Sequence, residues 1–295
     1  MSPNSSNLAD SSHLEALRNE IDRIDDALHD LLMERTLIVE QIGAIKNRDR
    51  TLLRPDREAL ILRRLVARHS GHFPLGVLVR MWREMISGLT RLQGPFAVAV
   101  FAPEERRGFW DVARDHFGSG APMTAVNSTM AVLRAVTEGA AQVGVVPYPA
   151  DDDTDPWWRF LAGSDSRTPH IVARLPFGAR GNSRGDARDA LAVALLPQAP
   201  TGDDRTMIRI EMDCDLSRGR LKDAIEAVNL FPAHFCSWDM GAAGGSLHLV
   251  EITDFVSTQD ERLVRLAARL GDHLIRINTI GGYAAPLALS PDFKK

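Results

Sequence analysis

The chain has 295 residues, about twice the size of a typical domain, so two or three domains are expected. Its 44% apolar and 25% charged residues are typical of a globular protein, and its net charge of −4 argues against nucleic acid as a partner. No apolar run approaches the ~20 residues of a membrane span, so no membrane partner is expected. The polar start lacks a signal pattern, and Cys214 and Cys236 are interpreted as reduced thiols, which predicts a cytoplasmic protein.

A long first helix is predicted to begin at Ser12, which forms a capping box with Glu15, and residues 1–11 are expected to be a disordered tail. Apolar residues then recur at spacings of three and four from Leu14 to Ile45. This heptad seam comprises Leu14, Leu17, Ile21, Ile24, Leu28, Leu31, Ile38, Ile42 and Ile45. A helix of about 50 Å with such a seam needs a partner to cover it.

Two shorter helices are predicted to follow. The second begins at Pro55, a favoured position in the first turn of a helix, and runs toward His69. The third runs from about Pro74 to Gln93 and stops at Gly94. The first 94 residues are therefore predicted to hold an all-helical domain over 12–94.

Two cations lie on one face of the first helix. Arg35 occupies a seam position that the neighbouring heptads give to Leu or Ile, and Lys46 lies about 20° around and roughly 16 Å along the helix from it. A boundary arginine with its head group in water is the plain alternative. Arg18 lies about 25 Å from Arg35 and about 100° around the helix, so it reaches the same small ligand only from a second, antiparallel protomer.

Three further polar residues complete a candidate pocket. Arg57 and Glu58 stand in the first turn of the second helix, and Gln93 extends the apolar face of the third. Each has an ordinary explanation on its own, namely a solvated first turn or a frayed last turn. Together with the cations they predict a pocket for a small, multiply anionic molecule, with no nucleophile, base, metal or cofactor.

The stretches LEALRNEIDRIDDALHDLLMERTLIVEQIGAIK, RPDRE and VRMWREMISGLTRLQ contain these residues. In order and spacing they resemble the all-helical (type II) chorismate mutases. The resemblance implies the rearrangement of chorismate to prephenate in an intertwined helical homodimer. It also implies that Arg35, and Arg18 of the partner subunit, bind the two substrate carboxylates. Lys46 and Gln93 would hydrogen-bond the ether oxygen, and Glu58 would hold the ring hydroxyl.

Two positions depart from the pattern of that family. Arg57 would line the pocket, but three residues before it the family usually has an acid, and this chain has Arg54. Leu89 stands where a small hydroxylic residue is common. Both changes remove polar contacts around the ring hydroxyl and a carboxylate, which predicts weaker substrate affinity unless Arg54 supplies a replacement contact.

Residues 95–203 alternate short strand-like runs with helical patterns. The strand-like runs are Ala97–Phe101, Val143–Pro147, His170–Leu175 and Leu191–Leu196, and a polar linker is predicted over Gly178–Arg188. The segment DHFGSGAPMTAVNSTMAVLRAVTEGAAQVGVVPYPADD is similar to part of the prephenate dehydratases.

This similarity predicts a reduced, degenerate α/β lobe that no longer dehydrates prephenate. Tyr148-Pro149-Ala150 replaces the Glu-Asn-Ser of that family, and its Thr-Arg-Phe is absent near His170–Arg174. About twenty residues separate Pro149 from His170, which is too few for the second lobe of a cleft.

Residues 204–295 read as strand, helix, strand, strand, helix, strand. This α+β βαββαβ pattern resembles a regulatory ACT-type domain, with Gly219 at the loop-to-helix entry where amino-acid effectors bind. A packing or dimerising domain without an effector is the alternative. The whole chain is thus expected to be a multidomain chorismate mutase. The alternatives are a bifunctional mutase–dehydratase and a non-catalytic sensor of an aromatic metabolite.

Overall fold

The computed structural model describes residues 5–45, 52–154, 156–163, 165, 167–184, 189–213, 216–241 and 244–289. The chain divides into two compact units, Met1–Arg50 and Thr51–Lys295. A helical N-terminal part precedes an α/β sheet, as the sequence predicts.

The described residues of the first unit form the helix α1 (Ser5–Ile45). The predicted start at Ser12 is wrong, because residues 5–11 contain no proline or glycine to stop the helix from beginning earlier. The tail predicted over 1–11 is helical from Ser5 onward, and residues 1–4 lie outside the described residues. At 1.5 Å per residue the helix is about 60 Å long. Its predicted seam residues are exposed, with exposed fractions between 43% at Ile42 and 80% at Ile45.

The second unit begins with two helices, α2 (Pro55–Arg68) and α3 (Leu75–Gln93). Both predictions are confirmed, with Pro55 at the start of α2 and Gly94 directly after α3. Ala59 and Leu62 of α2 pack with Val79 of α3 and with Phe177 in a small buried cluster. The two helices therefore pack against the segment of the chain that contains Phe177.

The described residues that follow form the strands β1 (Val98–Phe101), β2 (Met123–Val126), β3 (Val143–Pro147), β4 (His170–Leu175) and β5 (Ala190–Ala194), with the helices α4 (Gly108–Phe117) and α5 (Thr129–Thr137). These strands form the first half of a nine-stranded sheet, in the order β2-β1-β3-β5-β4. The strand β1 runs parallel to β2 and β3, whereas β5 is antiparallel to β3 and β4. All four strands predicted here are present, and β2 was missed because only four residues separate Pro122 from Asn127.

The second half of the sheet has the predicted βαββαβ order. Its elements are β6 (Asp204–Met212), α6 (Arg218–Glu226), β7 (Pro232–Asp239), β8 (Ser246–Ile252), α7 (Glu261–Leu270) and β9 (Leu274–Ala284). The strands lie in the order β9-β6-β8-β7, and every neighbouring pair is antiparallel. A single parallel pairing between Ile171 and Gly281 joins β4 to β9.

The two halves share a hydrophobic core. One cluster contains Val193 and Ile171 of the first half together with Met207 and Ile280 of the second. The predicted boundaries at 94/95 and 203/204 therefore lie within one compact unit, and they stay predictions about domain organisation.

Candidate active site

The long helix α1 carries two of the predicted site residues. Arg18 is exposed, whereas Arg35 is partly buried. The Arg35 Nη1 atom is buried and has no hydrogen-bond partner among the described residues. Burial lowers the pKa of this guanidinium. The side chain remains charged at neutral pH because the unperturbed pKa of arginine lies far above 7. Arg35 is thus a cation with an unused donor, and Lys46 lies outside the described residues.

The start of α2 places Arg57 and Glu58 side by side in its first turn. Arg57 is exposed, whereas the Glu58 side chain is 13% exposed. A carboxylate is favourable here because unpaired backbone N–H groups give a helix N-terminus a partial positive charge. Proline at the first position of α2 fixes where that turn begins.

Glu58 is held by a residue that sequence reasoning missed. Nη1 of Arg83, on α3, donates to Oε2 of Glu58 at 2.6 Å, and the Arg83 side chain is only 6% exposed. Burial raises the pKa of Glu58 and lowers that of Arg83, while the attraction between them opposes both shifts. The pair is therefore a buried salt bridge whose two members depend on each other.

The Arg83 guanidinium also contacts the α/β part of the chain. The same Nη1 atom lies 3.4 Å from Nε2 of His116, on α4, and the guanidinium carbon lies 5.0 Å from the centre of the Phe177 ring. Burial and the nearby Arg83 charge lower the pKa of His116 well below 6.5, so its imidazole is neutral at pH 7 and accepts this contact. Arg83 thus links the Glu58 carboxylate to α4 and to the segment after β4.

The last predicted residue, Gln93, is partly buried at the end of α3. Its Nε2 donates to the carbonyl oxygen of Leu89 at 3.3 Å, a contact within the same helix. Leu89 itself is 9% exposed and packs in the interior.

Arg54 makes a bidentate contact with Asp56, from Nη2 to Oδ2 at 2.8 Å and from Nε to Oδ1 at 3.1 Å. Arg54 is therefore already paired with a neighbouring carboxylate.

Nothing in the described part of the chain groups three or more His, Cys, Asp or Glu side chains as a metal site. Among the helices of the described residues, none is both long and apolar enough to traverse a bilayer. Cys236 is a free, buried thiol, and burial raises its pKa to about 12.

Comparison with known families shows what the helical part is similar to. Residues 17–94 match the family model described as chorismate mutase type II, and this segment contains all six predicted site residues. This helical segment is therefore similar in sequence to the type II chorismate mutases. The resemblance predicted from the sequence is thereby confirmed.

Curated relatives of this chain carry the mutase name together with a second activity. A bifunctional chorismate mutase/prephenate dehydratase of Pseudomonas aeruginosa is 31% identical over 147 residues, covering 48% of this chain and 40% of that protein. One of the same name from Aquifex aeolicus is 33% identical over 139 residues, covering 45% and 38%. The chain thus spans about two fifths of the length of these relatives.

Solved structures similar to this chain include prephenate dehydratases. The enzyme from Streptococcus mutans has a TM-score of 0.45 at 11% identity and covers 65% of this chain and 99% of its own. The enzyme from Arthrobacter aurescens, in complex with L-Phe, has a TM-score of 0.46 at 11% identity and covers 66% and 93%.

Proposed function

We propose that this chain rearranges chorismate to prephenate. One observation carries the proposal: the segment that matches the chorismate mutase family contains every residue predicted to bind the substrate. These residues are Arg18, Arg35, Lys46, Arg57, Glu58 and Gln93. Their functional groups are guanidinium, ammonium, amide and carboxylate, the set that a dianion with one hydroxyl and one ether oxygen requires.

The proposed reaction needs no acid, base or covalent intermediate. The enzyme selects the compact conformer of the substrate and stabilises the negative charge that builds on the ether oxygen as the C–O bond breaks. Arg35, and Arg18 of a second protomer, fix the two carboxylates, while Lys46 and Gln93 donate to the ether oxygen. Lowering the barrier by about 8 kcal/mol gives a millionfold acceleration, within the reach of positioning and electrostatics combined.

Glu58 takes part as an ionised acceptor. In the described chain its Oε2 accepts from Arg83, and a carboxylate offers about four acceptor positions, so it can accept a substrate hydroxyl as well. Arg83 is a positioning residue in this scheme, because its charge opposes the protonation that burial of Glu58 favours.

We also propose that the active form is a homodimer paired along α1. The seam residues of α1 are exposed, with Ile21 at 57%, Leu28 at 52% and Leu31 at 61%, and an apolar heptad seam of this length requires a second helix. An antiparallel copy supplies that helix and brings Arg18 of one protomer toward Arg35 of the other.

The dimer is tested by placing a charge in the seam. Ile24→Asp should convert the protein from dimer to monomer in sedimentation velocity, because an unpaired buried carboxylate in an apolar interface is costly. Asn19→Asp is the matched control, since it adds the same charge at an exposed position outside the seam and should leave the dimer intact. A wild-type chain that sediments as a monomer at all concentrations would contradict the proposal.

For the second half of the chain we propose a degenerate dehydratase-like lobe and an ACT-like domain. The described strands before Asp204 form one five-stranded half-sheet, and a 3-10 turn at Trp157–Phe160 lies in the short stretch between Pro149 and His170. The βαββαβ order and the antiparallel order β9-β6-β8-β7 support the ACT-like assignment. We propose that this half has no dehydratase activity.

Product analysis of the purified protein tests these assignments together. We expect chorismate to be consumed and prephenate to accumulate without phenylpyruvate. Phenylpyruvate formed from added prephenate would establish a bifunctional enzyme instead. Unconsumed chorismate, together with calorimetric binding of phenylalanine or tyrosine, would establish the non-catalytic sensor.

A further inference from the structure

A cavity of about 230 Å³ lies within the Thr51–Lys295 unit, and none of the six residues predicted to bind chorismate lines it, although Arg83, the partner of Glu58, does. Its walls come from the start of α2, from Arg83 on α3, from β4 and the segment after it, and from the end of β9. This volume exceeds the ~150 Å³ of an engineered cavity that takes up benzene. A ring-sized organic molecule with one polar group therefore fits.

The cationic part of the cavity wall consists of three arginines, Arg54, Arg83 and Arg174. Arg174 is 28% exposed, and its Nη2 contacts Oδ2 of Asp189 at 2.6 Å. Burial alone would lower the pKa of Arg174, but its hydrogen bond to Asp189 and nearby phenol groups raise it. A guanidinium has five N–H donors, so an arginine with one acid partner can still donate to a ligand.

A buried hydroxyl supplies the second, independent observation. Tyr283 lines the same cavity and is 2% exposed, and its hydroxyl has no well-aligned hydrogen-bond partner among the described residues, although Arg174 and Tyr148 lie close to it. Burial raises the pKa of Tyr283, so the phenol keeps its proton and can act as a donor. A buried polar group without a well-aligned partner is destabilising, and a ligand oxygen at this position would supply that partner.

The remaining wall contains the Asp56 carboxylate, which is already paired with Arg54, and a group of apolar side chains. Val172 is 4% exposed and Phe177 is 5% exposed, and both line the cavity beside the arginines. Cationic donors and a phenol on an apolar wall match a molecule with a carboxylate at one end and a hydrocarbon body at the other.

We propose that this cavity binds a small organic carboxylate with an apolar, ring-sized body. Its carboxylate accepts from the arginines and from the Tyr283 hydroxyl, and its body packs against Val172 and Phe177. Because Arg83 also holds Glu58 at 2.6 Å, a carboxylate in the cavity competes with Glu58 for the same guanidinium. A ligand bound in the cavity should therefore lower the rate of the mutase reaction. This expectation rests on the proposed function.

Isothermal titration calorimetry of the full chain with benzoate tests the binding site directly. Wild type should bind benzoate and should bind benzyl alcohol, which has a similar shape but no charge, at least tenfold more weakly. Tyr283→Phe should weaken benzoate binding about tenfold, and Ala173→Trp, which fills the cavity from β4, should abolish it.

Tyr148→Phe is the matched control. The Tyr148 hydroxyl donates to Glu251 in the same region, but Tyr148 does not line the cavity. This variant should bind benzoate as wild type does, and circular dichroism should show all variants folded. Equal binding of benzoate and benzyl alcohol would overturn the proposal, as would no binding of benzoate by wild type. Benzoate binding that survives both Tyr283→Phe and Ala173→Trp would place it elsewhere and overturn the proposal as well.

The calorimetry is independent of catalysis. A protein that binds benzoate as described but leaves chorismate unconsumed would refute the proposed function and leave the carboxylate site standing. A protein that consumes chorismate but does not bind benzoate would refute the site alone.

Discussion

Replacing Arg35 by alanine should lower kcat/KM for chorismate by about 100-fold to 1000-fold, the range seen when one preorganised donor to a transition state is removed. Arg35 is partly buried on α1, and its Nη1 has no hydrogen-bond partner among the described residues. The proposed substrate carboxylate supplies that partner, so the truncation removes a charge-assisted hydrogen bond rather than a packing contact. The rate of chorismate loss measures the effect directly.

Arg23→Ala is the matched control for Arg35→Ala. Arg23 lies on the same helix, is exposed, and contacts only its neighbour Glu20 at 2.6 Å among the ion pairs of the described residues. It should retain wild-type activity, and both variants should keep the helical circular dichroism of the parent. Lys46→Ala should behave as Arg35→Ala does. Equal turnover in wild type, Arg35→Ala and Lys46→Ala would show that the site assignment is wrong.

Local signals in the sequence were sufficient to predict most elements. Pro55 and Gly94 mark helix ends that the structure places where expected, and the apolar run Val143–Pro147 is a strand with the predicted bounds. Such signals act within a few residues, so they can be read without knowing the fold. The helical site residues were predicted for the same reason, since their spacing on a helix fixes the face on which they lie.

Features that depend on distant contacts were not predictable in this way. Arg83 lies on the same face of α3 as Ser87 and Thr90, and all three residues are buried. An arginine on this buried face was the feature of the sequence that could have indicated a role for Arg83. Its partner Glu58 lies 25 positions away, and its neighbour His116 lies 33 positions away. The carboxylate cavity likewise combines residues from Arg54 to Ala284, which only the folded chain brings together.

The second large effect is expected from Arg83→Met, which should lower the free energy of unfolding by about 3–5 kcal/mol. Removing one member of a buried ion pair leaves the other charge without compensation, and Glu58 is 13% exposed beside Arg83 at 6%. Urea unfolding followed by circular dichroism measures the loss. Arg80→Met on the exposed face of α3 is the control, since Arg80 is 46% exposed and contacts Asp115 at 3.6 Å, and it should change stability little.

The double variant Arg83→Met/Glu58→Leu separates the ion pair from packing. Replacing both charges by apolar groups of similar volume removes the uncompensated carboxylate, so the double variant should recover much of the stability that Arg83→Met loses. If the double variant is less stable than wild type by the sum of the losses of the two single variants, the two residues do not form the coupled pair seen in the structure.

A positioning role for Arg83 also predicts a shift in the pH dependence of the mutase. Burial raises the pKa of Glu58, and the Arg83 charge opposes that rise. Glu58 must be ionised to accept the ring hydroxyl, so activity should fall as pH drops toward this pKa. Without Arg83 the pKa rises further, and the acidic limb of the kcat/KM profile of Arg83→Met should move to higher pH. A merely structural role would lower stability without moving that limb, so an unchanged acidic limb in folded Arg83→Met would refute the assignment of Arg83 as the residue that keeps Glu58 ionised.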